Sequence, residues 1–114
     1  MPKHKETKLT AIPEKVKRKV NARDNGRCIV CGARRDWHFS NAHYIRRSQG
    51  GLGIEENVVT LCLECHHAYD NGFRRREIGD WISEYLERFY PDFNDYDRIY
   101  HKYPKVAEID DFGG

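Results

Sequence analysis

The strongest constraint on this chain is the placement of its four cysteines. Cys28 and Cys31 form one C-x-x-C pair, and Cys62 and Cys65 form a second. Two such knuckles set four thiolates where a tetrahedral Zn²⁺ takes them, each at ~2.3 Å. Redox-active pairs usually open a helix within a βαβ unit, and no such unit is legible here. The charged N-terminus, Met1-Pro2-Lys3-His4-Lys5, runs into no apolar stretch. The expected setting is therefore intracellular, where disulfides seldom persist. Structural zinc is the expected role of Cys28, Cys31, Cys62 and Cys65. Thirty residues lie between Cys31 and Cys62, so the metal fixes both ends of that segment.

The size of the chain gives such a clamp a purpose. The 114 residues, 13.5 kDa, suit one domain. Only 39% are hydrophobic, 33% are charged, and no run of ~18 apolar residues exists to cross a membrane. Setting aside a basic tail over 1–12 and an acidic tail over 91–114 leaves a folded domain over 13–90. Below ~70–80 residues an apolar core alone rarely stabilises a fold. Charge is graded along the chain. Residues 1–35 carry eleven Lys or Arg against three acids, 36–79 carry five against six, and 80–114 carry four against nine.

Local signals place the elements. Pro13 suits the first helical position, Ile12, Val16 and Val20 recur every fourth residue, and Asn25-Gly26 ends the run, so a helix is expected over 13–24. Lys15, Lys17, Arg18 and Lys19 cover its other faces, as a solvated surface or as a phosphate-contacting one. Trp37 to Ser40 reads as a short strand and Asn41 to Ile45 as a second extended piece. A polar loop follows, Arg46-Arg47-Ser48-Gln49-Gly50-Gly51-Leu52-Gly53, whose three glycines allow positive φ. Val58 to Leu61 is the clearest strand, and 63–70 suits a short helix closed by Asn71-Gly72. Ile78, Trp81, Ile82, Tyr85, Leu86 and Phe89 form a period-3.6 stripe on a last helix before Pro91.

Between and beside the knuckles lie His43 on a strand, the glycine loop, Asn57, a second strand, and His66-His67 directly after Cys65. The stretch from Arg27 to Asp70 resembles an HNH endonuclease of the zinc-knuckle type. The likeness rests on C-I-V-C at 28–31, A-H-Y-I-R-R-S-Q-G-G at 42–51, E-N-V-V-T-L-C at 56–62 and C-H-H at 65–67. It implies an α+β fold: a small zinc-stabilised ββα-metal domain, here with flanking N- and C-terminal helices. It also implies that His43 is the general base, that Asn57 holds the loop between the strands, and that His66 binds a catalytic divalent metal separate from the zinc.

That chemistry is sound for phosphodiester hydrolysis. Neutral imidazole accepts a proton from water near pH 7. Its orienting partner in this family is commonly a backbone carbonyl of the glycine loop. Mg²⁺, Mn²⁺ or another transition metal relieves charge on phosphate and leaving oxygen. Arg46 and Arg47 are positioned to clamp phosphate or to sit in solvent. One departure stands out: many family members carry Asp or His as a metal ligand immediately before the base, where this chain has Ala42. Asp70, four residues after His66, shares its helix face and is the expected second ligand. His67 is a weaker candidate, and His38 and Asn41 are remoter ones for a third position. The first reading is thus a metal-dependent DNA endonuclease that cuts or nicks, with DNA as partner and a phage packaging or other nucleic-acid-processing protein as a further one. The rival is a non-catalytic zinc-stabilised module that binds DNA or docks on protein through Tyr96, Tyr100 and Tyr103 among Asp92, Asp95 and Asp97.

Overall fold

Pro13 is extended and caps the helix α1 (Glu14–Arg23) instead of occupying its first turn. The computed structural model describes residues 8–102. The first seven residues of the basic segment, and Tyr103 with the rest of the acidic C-terminus, lie outside that range. After α1 come β1 (Ala42–His43), β2 (Val58–Val59), α2 (Leu63–Asp70) and α3 (Arg75–Phe89), with 3₁₀ turns at Trp37–Phe39, Arg47–Gln49, Glu55–Asn57 and Asp95–Arg98. The architecture is α+β: a ββα unit with helices on both sides. Among the described residues no helix is long and apolar enough to cross a membrane.

The strands pair antiparallel, Ala42 with Val59 and His43 with Val58. Three strand expectations shrink. Trp37 to Ser40 is a 3₁₀ turn, not a strand, because the Asp36 carboxylate accepts the His38 N–H and caps it. The extended piece over 41–45 pairs only at Ala42 and His43. Thr60 and Leu61 leave the sheet because their backbones bond elsewhere: Thr60 donates to Asp24 and accepts from Ile29, and Leu61 donates to Phe39.

Ala42, Val59, Leu61, Ala68, Tyr69, Ile78, Ile82 and Leu86 form the core together with Cys28, Cys62 and Cys65. The stripe on α3 buries only its i, i+4, i+8 seam of Ile78, Ile82 and Leu86. Trp81 and Phe89 flank that seam and are half-exposed, and the Trp81 indole N–H donates to the Ile29 carbonyl at 2.7 Å. On α1 only Val20 of the expected stripe is fully buried. Gly79 faces the Tyr69 ring, where an added Cβ would lie 3.4 Å from Cε1, so a small residue lets α3 approach α2.

Ionic and polar links join what the short sheet cannot. Asp24 is buried and accepts from the Arg23 guanidinium (2.7 Å), the Thr60 N–H (2.9 Å) and the Tyr85 hydroxyl (2.7 Å). Arg23 also donates to the carbonyls of Glu55 and Val58. Past α3 the chain returns over the glycine loop: Leu52 donates to the Arg98 carbonyl, Tyr100 donates to the Gly50 carbonyl, and Gly51 bridges Ile99. Tyr96 stacks on His101. Replacing Asp24 with Ala leaves the Arg23 cation buried without its carboxylate, a class of change that costs ~3–5 kcal/mol. Urea denaturation is expected to show a loss of that order for Asp24→Ala, and a loss below ~1 kcal/mol would contradict the assignment.

Candidate active site and metal centres

The knuckles bring Cys28, Cys31, Cys62 and Cys65 together, with all four sulfurs within 4.8 Å of one another. The Cys31 and Cys62 sulfurs are 3.6 Å apart, close to the ~3.8 Å edge of a tetrahedron with 2.3 Å Zn–S bonds. Cys62 caps α2 and accepts the Cys65 N–H. Burial opposes charge on the Cys62 sulfur, but the Cys65 N–H and the thiols of Cys65, Cys31 and Cys28 outweigh it, bringing its pKa down to about 7. The cluster is compatible with a structural zinc.

The loop between the strands is held by one side chain. Asn57 is fully buried; its Oδ1 accepts the Ile45 N–H at 2.9 Å, and its Nδ2 donates to the carbonyls of Ile45 (3.1 Å) and Leu52 (2.9 Å). Of the three glycines, Gly50 alone takes positive φ, at 83°. Gly51 is required by close approach, since a Cβ there would collide with the Ile45 carbonyl.

His43 projects from β1 into a cavity of about 310 Å³ that is also lined by Asn41, Arg46, Arg47, Ser48, His66 and Asp70. Its Nε2 lies 2.7 Å from the Thr10 carbonyl oxygen. A carbonyl only accepts, so Nε2 carries the proton and Nδ1 is the nitrogen left to accept one. The expected orienting group, a loop carbonyl, is thus replaced by one from the segment before α1. That segment is seated on the loop through the Gly53 N–H, which donates to the Leu9 carbonyl, and through Arg47, which donates to the Thr10 hydroxyl. Burial is the largest influence on the His43 ring and lowers its pKa; the Thr10 carbonyl opposes this, and the Arg47 and His66 charges add to the lowering against Asp70. The net shift is below the ordinary 6.5, so the ring is neutral at pH 7.

His66 and Asp70 meet on one face of α2, with Nε2 and Oδ2 3.1 Å apart. Two ligand atoms on adjacent corners of an octahedral ion at 2.1 Å are ~3.0 Å apart. In this structure the two atoms form an ion-pair contact, and their spacing is also that of two adjacent metal ligands. His67 turns away and pairs with Asn71, and His38 pairs with Asp36 and stacks on Trp37 outside the cavity. Ala42 is fully buried against Val59. Arg46 donates to the Asp70 carbonyl. On α1, Arg18 pairs with Glu14 and lies over Trp37, and Lys19 pairs with Glu55. Thr10 was not legible as a site residue, because a backbone carbonyl leaves no side-chain signature.

Knuckles, strands, clamped loop and α2 together define a ββα-metal domain. Residues 28–72 match the family model described as HNH endonuclease. No curated protein and no solved structure matches the chain. Since the cluster joins both ends of the matched segment, Cys62→Ser is expected to lose its zinc and most of its folded stability together, read by metal content and circular dichroism. A folded, zinc-free Cys62→Ser protein would contradict a structural metal.

Proposed function

We propose that this chain is a divalent-metal-dependent DNA endonuclease with His43 as general base, Asn57 holding the loop that carries the site, and His66 and Asp70 as metal ligands. The observation that carries the reading is the shared cavity: a neutral imidazole with a fixed tautomer faces the same space as a His–carboxylate pair and Arg47. His43 takes the proton of the attacking water at Nδ1, while the Thr10 carbonyl holds the Nε2–H and keeps the ring from turning. Arg47 supplies positive charge beside the scissile phosphate; Arg46, tied to the Asp70 carbonyl, braces the loop against α2. Bound Mg²⁺ or Mn²⁺ would supply charge relief at the phosphate and at the departing 3′-oxygen. The products are then a 5′-phosphate and a 3′-hydroxyl.

A non-catalytic DNA-binding role is favoured by one feature, the absence of a ligand at Ala42. Plasmid nicking separates the readings. Wild type with Mg²⁺ or Mn²⁺ converts supercoiled DNA to nicked or linear forms. His43→Ala keeps zinc and DNA binding but cuts ~10²–10⁴-fold more slowly. His66→Ala raises the metal requirement and leaves the zinc in place. Activity falls as pH drops through the depressed His43 pKa, because the protonated ring accepts nothing. His43→Ala protein that nicks at the wild-type rate in the same metal would remove the proposed mechanism.

DNA affinity is assigned to the basic front. Lys15 and Lys17 carry it more than Arg18 and Lys19, which already have acidic partners. Lys15→Glu with Lys17→Glu is expected to weaken binding to every DNA sequence and to reduce the slope of log affinity against log salt by about 2. An unchanged slope would return these lysines to a solvated face.

A further inference from the structure

Asn41 holds a side-chain oxygen that the fold does not use. Its Oδ1 is buried and has no hydrogen-bond partner. Leaving a buried amide oxygen unpaired costs ~1–3 kcal/mol. A water or an ion is one partner that can satisfy such an atom. Asn41 lines the cavity that holds His43, His66 and Asp70. Alternation along an extended chain explains this placement: Ala42 points into the core, and its neighbours at 41 and 43 share the opposite face.

We infer that Asn41 Oδ1 is the third protein ligand of the divalent cation held by His66 and Asp70, in place of the ligand that Ala42 cannot supply. The inference rests on the metal site proposed above. The donor chemistry is consistent, since a neutral amide oxygen and a carboxylate oxygen suit Mg²⁺ and Mn²⁺, and imidazole suits the transition metals. One imidazole, one carboxylate and one amide leave three octahedral positions for water and phosphate, as a cation that acts on phosphate needs. A ligand directly before the base would have to project from the Ala42 position. There the side chain enters the hydrophobic core against Val59, where a carboxylate is costly to bury.

The test is Mn²⁺ binding to the zinc-loaded full chain without DNA, measured from the spin-resonance signal of free Mn²⁺. Wild type is expected to bind one Mn²⁺. Asn41→Ala should bind it at least ~10-fold more weakly, since even outer-shell partners of metal ligands cost 10–100-fold. Zinc content and circular dichroism should be unchanged. Asn41→Asp keeps an oxygen in place and adds charge, so its affinity should exceed that of wild type. Equal Mn²⁺ affinity in wild type and Asn41→Ala overturns the inference, as does a wild type that binds no Mn²⁺. Should Asn41→Ala lose its zinc, the comparison of Asn41→Asp with wild type decides, and affinity at or below wild type overturns the assignment. Failure of the endonuclease reading has a different signature: the Mn²⁺ affinities rank as expected while wild type leaves supercoiled plasmid uncut.

Discussion

Asn57 spends its whole carboxamide on the two ends of one loop, accepting from Ile45 and donating to Ile45 and Leu52. The sheet beneath it consists of two residue pairs, and an isolated two-stranded sheet is marginal at best. That side chain helps to set how residues 46–52 leave β1 and return to β2. The loop in turn seats two segments outside the family-matched region. Leu9 and Thr10 lie on it from one side, and Arg98, Ile99 and Tyr100 pair with it from the other. A fully buried amide with three good bonds is a specific fastening, because any other loop path would strand its donors and acceptor in the core.

The same economy governs the charged groups. Arg23 and Asp24 are buried side by side, which is expensive unless every donor and acceptor is met. Here the guanidinium reaches the Glu55 and Val58 carbonyls, and the carboxylate takes Thr60 and Tyr85. One ion pair thereby ties α1 to β2, to the turn before β2 and to α3. At the candidate site the balance is different. His43 is partly buried beside Arg47 and His66, and both disfavour a positive imidazole. A general base, the role proposed for His43, should be neutral in its resting state, and burial with nearby positive charge favours that form against the Thr10 carbonyl and Asp70.

What was legible in the sequence follows from what each feature depends on. The knuckles, the 63–70 helix and the Ile78–Ile82–Leu86 seam rest on residue type at fixed spacing, and spacing is written in the chain. Trp37 to Ser40 reads as a strand by its aromatics, yet one Asp36 carboxylate capping His38 redirects it into a 3₁₀ turn, because a local side-chain bond outweighs weak β propensity. Trp81 and Phe89 fit the helical stripe but fall at its margins, where packing decides burial. The Thr10 carbonyl was beyond reach. Any residue at position 10 offers the same atom, so identity carries no information about which carbonyl meets His43.

The Ala42 substitution is best understood through the face it occupies. β1 is two residues long, and its alternation gives the core one methyl and the cavity one imidazole. A ligand at position 42 would need β1 to turn its core side outward. That would withdraw Ala42 from Val59, a cost the short sheet is poorly placed to absorb. Residues two apart avoid the conflict, since 41 and 43 already face the cavity together. The proposed base and the proposed ligand then project from one extended segment whose ends are fixed independently. Tyr44 donates to the Asn57 carbonyl on one side, and the Ser40 hydroxyl bonds Thr60 on the other at 2.6 Å. Their spacing is set by backbone geometry and not by side-chain packing, so a chain with alanine before its proposed base retains a route to a three-ligand site.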